Sequence, residues 1–256
     1  MAERTDMRLS RVLAEFDPVP RPRFGLVSLA SDPVASDEIR AVLGGPSRAV
    51  HETRIANSDR IDLASLGAME AGLTAAARLL PVPEAYDAVG YLCTSASMVI
   101  GSDRVAELIE QSVPGAAVTD PMRATMRALV RLGARRIGVV TPYVPEVTQG
   151  IIARLKRDGV AVAGAVSFEV GEDSRVARIS ADAIRSAIEA VSGDAEAVFV
   201  SCTALRTTAH IARWEAEIGL PVVSSNQAIA WHLLDATSIA PAPGSWGRLL
   251  SPAISR

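Results

Sequence analysis

Short apolar runs bounded by turn residues recur along the chain, at 24–30, 88–92, 115–118, 137–141, 160–166, 197–201 and 221–224. Between them lie longer stretches whose apolar positions return at three- and four-residue steps. Leu63, Leu66, Met69, Leu73, Ala76, Ala77 and Leu80 follow such a period, and Pro81 ends it. Strand-length runs alternating with helical periods predict β-α-β units around parallel sheets, so the fold class is α/β. Residues 1–22 end in Asp17-Pro18-Val19-Pro20-Arg21-Pro22 without sustained periodicity. A flexible lead is expected there, with folding beginning at Arg23.

The two halves of the chain resemble each other. Arg23-Phe24-Gly25-Leu26-Val27-Ser28 reads like Arg136-Ile137-Gly138-Val139-Val140-Thr141, and the segment 87–94 reads like 196–203, both ending in Cys-Thr. The segment 114–120 matches 221–226, each a strand opening a helix. The spacing agrees as well: 68 residues separate Gly25 from Cys93, and 64 separate Gly138 from Cys202. Such duplication predicts two similar Rossmann-like lobes with parallel sheets, related by a pseudo-twofold, with an active site in the cleft between them. Lobe one is expected to comprise 23–118 plus 227–256, and lobe two 119–226.

Composition narrows the function without naming it. The 256 residues carry a formal charge of −3, with 49% hydrophobic and 21% charged. This balance lacks the basic footprint of a nucleic-acid binder. The mixed charges of the first fifteen residues leave no apolar signal core, and the apolar stretch 88–101 is broken by Cys93-Thr94-Ser95, short of the roughly 18 residues of a membrane span. A cytoplasmic protein with no membrane partner is expected. No glycine-rich phosphate loop follows a predicted strand, and His51, His210 and His232 lack metal-ligand spacing, so neither a cofactor nor a metal is expected. Arg123, Arg127 and Arg131 form a stripe read as a solvated helix face or an interface. Trp214, Trp231 and Trp246 are read as packing or subunit contacts, and a homo-oligomer is expected.

The two cysteines carry the chemistry. In open parallel sheets ligands sit beyond the carboxyl ends of the strands, where Cys93 and Cys202 both fall. Opposed thiols suit two-base proton transfer at a carbon next to a carboxylate: one thiolate removes a proton and the other thiol delivers one on the far face. A thiolate adding to a double bond is the variant. A lone strand-end cysteine is commonly inert packing, but two at matched positions, each followed by Thr, favour function. An enediolate needs preorganised donors, and Thr94, Ser95, Ser97, Thr203, Arg206 and Tyr143 stand near the thiols in the chain. Ser102, Thr207 and Thr208 are read as helix caps. A binding protein for an acidic metabolite is the non-catalytic alternative, and a cysteine hydrolase lacks a persuasive histidine partner.

The segments GLVSLASD (25–32), YLCTSASMVIG (91–101), AVTDP (117–121), RRIGVVTPYVPEV (135–147), FVSCTALRT (199–207) and PVVSSNQAIAWHLL (221–234) resemble the aspartate/glutamate racemase superfamily. Within it the similarity is to the branch of maleate cis-trans isomerase and arylmalonate decarboxylase, and CTSAS, TPYVPEV, SCTALRT and SSNQA together resemble the ectoine-utilisation protein of that branch. The resemblance implies two α/β lobes, no cofactor, and catalysis by Cys93 and Cys202 on a small carboxylate substrate. It assigns Thr94 and Ser95 to the carboxylate-binding loop, Tyr143 to a donor on that carboxylate, and Thr203 to the backbone amide after the second thiol. Decarboxylase members keep only the second-lobe cysteine, so two thiols point to isomerase or racemase chemistry. One departure stands out: Asp32 occupies the place where maleate isomerases carry an Asn that holds a substrate carboxylate. Asp32 is therefore expected to pair with an amino, amide or amidine group while Arg206 grips a carboxylate, as on a diaminobutyrate-type or ectoine-derived compound. The alternative for Asp32 is a turn residue before Pro33.

Overall fold

The computed structural model describes residues 13–16, 22–45, 48–81 and 85–251. Apart from 13–16 and Pro22, the expected lead segment lies outside the described residues. The first lobe runs β1 (Arg23–Leu29), α1 (Ala35–Leu43), β2 (Ala49–Ile55), α2 (Leu63–Ala68), α3 (Leu73–Ala77), β3 (Ala88–Leu92), α4 (Thr94–Ile100), α5 (Ser102–Glu110) and β4 (Ala117–Thr119), followed by α6 (Pro121–Leu132). The second runs β5 (Arg136–Thr141), α7 (Pro145–Arg157), β6 (Ala161–Ser167), α8 (Asp173–Val176), α9 (Ala181–Val191), β7 (Ala197–Val200), α10 (Ile211–Ile218) and β8 (Val222–Ser224), followed by α11 (Ser225–Thr237). Each lobe holds a four-stranded parallel sheet, in the orders β2-β1-β3-β4 and β6-β5-β7-β8. The duplicated sequence segments thus occupy the same positions in two sheets of one topology, with β1 and β5 central and buried.

Two elements differ from the sequence pattern. β2 lies outside the predicted runs because Ala49-Val50-His51-Glu52-Thr53-Arg54-Ile55 is an edge strand whose polar side chains face partly outward. The single helix expected over 63–80 divides into α2, a 3₁₀ turn at Met69–Gly72, and α3. Gly72 passes close to Ile55, where an added Cβ would come within 3.2 Å of the Ile55 side chain.

Helix ends are set by side-chain caps. Asp120 accepts from the Met122 and Arg123 N–H groups and from the Ser102 hydroxyl, with Pro121 in the first turn of α6. Ser224 accepts from the Gln227 N–H at the start of α11. Every residue of α11 from Ser225 to Leu234 is buried, so the helix meets solvent only in its last turn, at Asp235 and Ala236. It leaves β8 of the second lobe and packs against α1, β3 and β4 of the first, as well as α6. Among the described residues no helix is long and apolar enough to cross a membrane.

The matched glycines of the central strands have matched reasons. A Cβ on Gly25 would come within 2.9 Å of Leu80, and one on Gly138 within 2.3 Å of the Val191 carbonyl oxygen. The Gly138 contact is to backbone, which cannot swing aside. Gly138→Ala is expected to cost about 1–3 kcal/mol in urea unfolding. Gly164→Ala in β6, where an added Cβ meets nothing within 4 Å, should change stability by no more than about 0.5 kcal/mol.

Candidate active site

Both cysteines follow the last residues of equivalent strands, β3 and β7, and both line one small cavity together with Thr94, Ser95, Tyr143, Thr203 and Asp173. Cys93 is the N-terminal cap of α4, its sulfur accepting from the Ala96 N–H at 3.4 Å, and it is 4% exposed. Cys202 is 6% exposed and has φ of +123°, a conformation that L-residues rarely adopt and that the surroundings must hold.

Those surroundings cross between the lobes. The Ser225 hydroxyl accepts from the Thr94 hydroxyl at 2.8 Å and from the Cys202 N–H at 3.1 Å, while the Thr203 hydroxyl donates to the Leu92 carbonyl at 3.2 Å. Each Cys-Thr turn is therefore tied to the other. Behind the second turn, Glu38 of α1 accepts from the backbone N–H and the hydroxyl of both Thr207 and Thr208, and from the Asn226 side-chain amide. Asn226 also donates to the Thr203 carbonyl. Thr207 and Thr208 thus serve Glu38, which corrects their reading as caps of the next helix; that helix begins at Ile211.

The roof is built by two segments that meet across the lobes. Ile61 N–H donates to the Gly171 carbonyl at 2.9 Å, Asp173 N–H to the Asp59 carbonyl at 2.7 Å, and Ser174 N–H to the Asp59 carboxylate at 2.8 Å. The Ser31 hydroxyl donates to the Asp173 carboxylate. Leu66 and Met69 add apolar cover. The enclosed volume is about 20 Å³, room for a water molecule and not for a four-carbon acid. Ligand entry requires this roof to part.

The electrostatics of the closed cleft keep both sulfurs neutral. Burial, joined by the charges of Asp173 and Asp32, pushes Cys93 from 9.0 up to about 12, against the pull of the Ala96 N–H and Ser95. Cys202 is raised well above its ordinary value, first by burial and then by Asp173, with the Tyr143 hydroxyl and the Ala204 N–H acting in the opposite direction. The Tyr143 hydroxyl is itself buried and makes no hydrogen bond of good geometry. Burial also raises Asp173, opposed by the Ser31 hydroxyl and reinforced by Asp32.

Of the side chains singled out in the sequence, Cys93, Cys202, Thr94, Ser95, Tyr143 and Thr203 come together here. Asp32 is 2% exposed and near enough for its charge to act on both thiols. One of its oxygens also accepts from the Val34 and Ala35 N–H groups, so it shapes the turn into α1 as well. Arg206 does not join them. Its neighbours Leu205 and Thr207 are buried, the latter bound to Glu38, and the exposed Arg206 guanidinium turns outward to the Ala177 carbonyl. Sequence reasoning missed Glu38, Asn57, Asp173 and Ser225. Asp37-Glu38 has the look of a solvated first helical turn, and Asp173 lies in a polar string without periodicity. Ser225 alone had a signal, as the residue after a matched strand. Among the described residues no group of three or more potential ligands is arranged to hold a metal ion.

The family model for arylmalonate decarboxylase matches residues 60–250 of this chain. The maleate isomerase of Nocardia farcinica is 26% identical over 241 residues, covering 89% of this chain and 95% of that protein. Among solved structures, the maleate isomerase Iso of Pseudomonas putida S16 shares the fold with a TM-score of 0.80 at 23% identity, covering 90% of this chain and 98% of that one. A mutant of the N. farcinica maleate cis-trans isomerase, carrying a covalently bound succinylcysteine intermediate, matches with a TM-score of 0.78 at 26% identity, covering 89% and 97%.

Two outcomes are expected from iodoacetamide labelling read by mass spectrometry. At pH 7.5 Cys93 should react at least about a thousandfold more slowly than a free thiol, and its rate should still be climbing above pH 9 where an ordinary thiol levels off. In Glu38→Ala, the loosened turn should raise Cys202 labelling by about tenfold while Cys93 changes by less than about twofold.

Proposed function

The chain belongs to the arylmalonate decarboxylase family, and we propose that it is a cofactor-independent isomerase that moves a proton at the α-carbon of a small carboxylate between Cys93 and Cys202. The observation that carries this reading is the pair of thiols at equivalent strand ends, facing one cavity from two lobes. In the reaction, one cysteine as thiolate takes the α-proton and becomes a thiol. The other, as thiol, gives a proton to the opposite face and becomes a thiolate. The carbon is inverted and the charge is conserved. The negative oxygens of the intermediate enediolate fall to the donors around the thiols, the Ser95 and Tyr143 hydroxyls and the loop amides, while the Thr94 and Thr203 hydroxyls are spent on Ser225 and the Leu92 carbonyl and hold the two turns in place. Because these donors are fixed by the fold before substrate arrives, they need little reorganisation as charge develops.

A second reading has its own support. In the N. farcinica relative a succinylcysteine is the covalent intermediate, and addition of one thiolate to a carbon–carbon double bond, rotation, and elimination would use the same cleft. Decarboxylation, the activity for which the family is named, needs one proton delivered to a carbanion and leaves the second thiol without a role. For substrate, Asp32 favours a compound with an amino, amide or amidine group, of the 2,4-diaminobutyrate or ectoine-derived type, in keeping with the resemblance to the ectoine-utilisation protein. Arg206, turned away from the cavity, is not assigned the carboxylate.

The test is proton exchange in D₂O followed by NMR and chiral chromatography. Wild-type protein is expected to introduce deuterium at the α-carbon and to interconvert enantiomers, and Cys93→Ser and Cys202→Ser should each lower the rate by about 10²–10⁴-fold. A covalent adduct on one cysteine without α-exchange would select the addition mechanism. Ligand binding unchanged in the Cys93→Ser/Cys202→Ser double variant, with no turnover by wild type on amino-acid and ectoine-derived carboxylates, would identify a binding protein.

A further inference from the structure

Asp173 of the second lobe lines the cavity, and Asp32 of the first lobe is buried beside it, next to the Ser31 that bonds Asp173; among the described residues neither is paired with a cation. Asp32 comes from the turn after β1, and Asp173 opens α8 in the second lobe. They are electrostatic neighbours of each other and of both thiols. One oxygen of Asp32 caps the turn into α1, but the other, Oδ2, is buried with no hydrogen-bond partner among the described residues. A buried carboxylate oxygen without a donor is expensive to keep unless something else meets it. Asp173 accepts from the Ser31 hydroxyl and, at 3.5 Å, from the Asn57 amide. Among the described residues no arginine or lysine forms a salt bridge with either aspartate. Arg54, beside the first, is spent on the carbonyls of Leu29, Ala30 and Asp32 and on Glu52, while Arg60 on the roof pairs with Asp62.

Taking this cleft as the substrate site, as in the function proposed above, the geometry points to Asp32 and Asp173 as a clamp for a cationic group of the substrate, a primary ammonium or an amidinium. The substrate is then a zwitterion. Its carboxylate lies toward the hydroxyls of Ser95 and Tyr143, and its cation between the two aspartates. A dicarboxylate such as maleate would place its second anion against two carboxylates and be rejected. The clamp also couples binding to chemistry. The aspartates disfavour thiolate on either cysteine by like charge, and a cation seated between them offsets that repulsion, so the substrate itself eases ionisation of the base that attacks it. Since Asp173 belongs to the roof of the second lobe and Asp32 to the turn after β1 of the first, the clamp is complete only in the closed form.

Calorimetry at pH 7.5 tests this with four probes: maleate, L-2,4-diaminobutyrate, ethylammonium and acetamidinium, on wild type, Asp32→Asn, Asp173→Asn and the double variant, each checked for an unchanged melting curve. Wild type is expected to bind diaminobutyrate at least about 100-fold more tightly than maleate, and the double variant to reduce that preference by about tenfold or more. Diaminobutyrate or either small cation should speed iodoacetamide labelling of the unoccupied thiol in wild type and not in the double variant. Maleate binding as well as diaminobutyrate, or none of the three cations binding at 10 mM, taken as roughly the weakest useful affinity, overturns the clamp. Cation binding without deuterium exchange leaves the clamp standing and removes the proton-transfer reading instead.

Discussion

The hydroxyl of Ser225 is the point on which the site depends. It accepts from Thr94 beside one cysteine and from the N–H of the other, so two turns more than a hundred residues apart share a single oxygen. The bond from Thr203 to the Leu92 carbonyl closes the figure in the opposite direction. Neutral hydrogen bonds of this kind are each modest in net worth, about 1 kcal/mol, yet here they fix relative position. Opposed acid and base groups work only if their spacing is held within a fraction of an ångström. Glu38 supplies the remaining constraint by gathering five donors from the loop beyond Cys202 and from α11. The strained backbone at Cys202 is the local cost of presenting that sulfur to the cavity.

The architecture was legible in the sequence because the duplication repeated its own evidence. Gly25 and Gly138, and the two Cys-Thr pairs, occupy matched places in sheets of identical order. Local pattern failed where tertiary context decides. β2 is polar because it is an edge strand, and the helix over 63–80 is broken where Gly72 crosses Ile55. In the site, the residues flanking strand ends were readable since a parallel sheet places them at one rim. Asp173 and Glu38 were not, because each acts through a partner distant in the chain: Asp173 on Ser31, Glu38 on Thr207 and Thr208. Arg206 shows the reverse error. A cation near a reactive cysteine in sequence is easily credited with binding an anion, whereas its buried neighbours send it to the surface.

Closing the roof excludes water and strengthens every charge interaction beneath it. The same closure keeps thiolate scarce, since burial and two nearby carboxylates all favour the neutral sulfur. An enzyme that relies on cysteine at the carbon-acid step gains from this arrangement. An unoccupied thiolate invites oxidation and alkylation, and a neutral buried thiol resists both.

Helix α11 has a consequence for how the molecule holds together. It starts at the edge of the second sheet, finishes against the first, and is sheathed in protein along ten consecutive residues. If either lobe were to melt alone, the helix would be stripped on one side and Ile229, Leu233 and Trp231 laid bare. The two lobes, though alike in outline, thereby share part of one core, and the loss of either exposes apolar surface of the other.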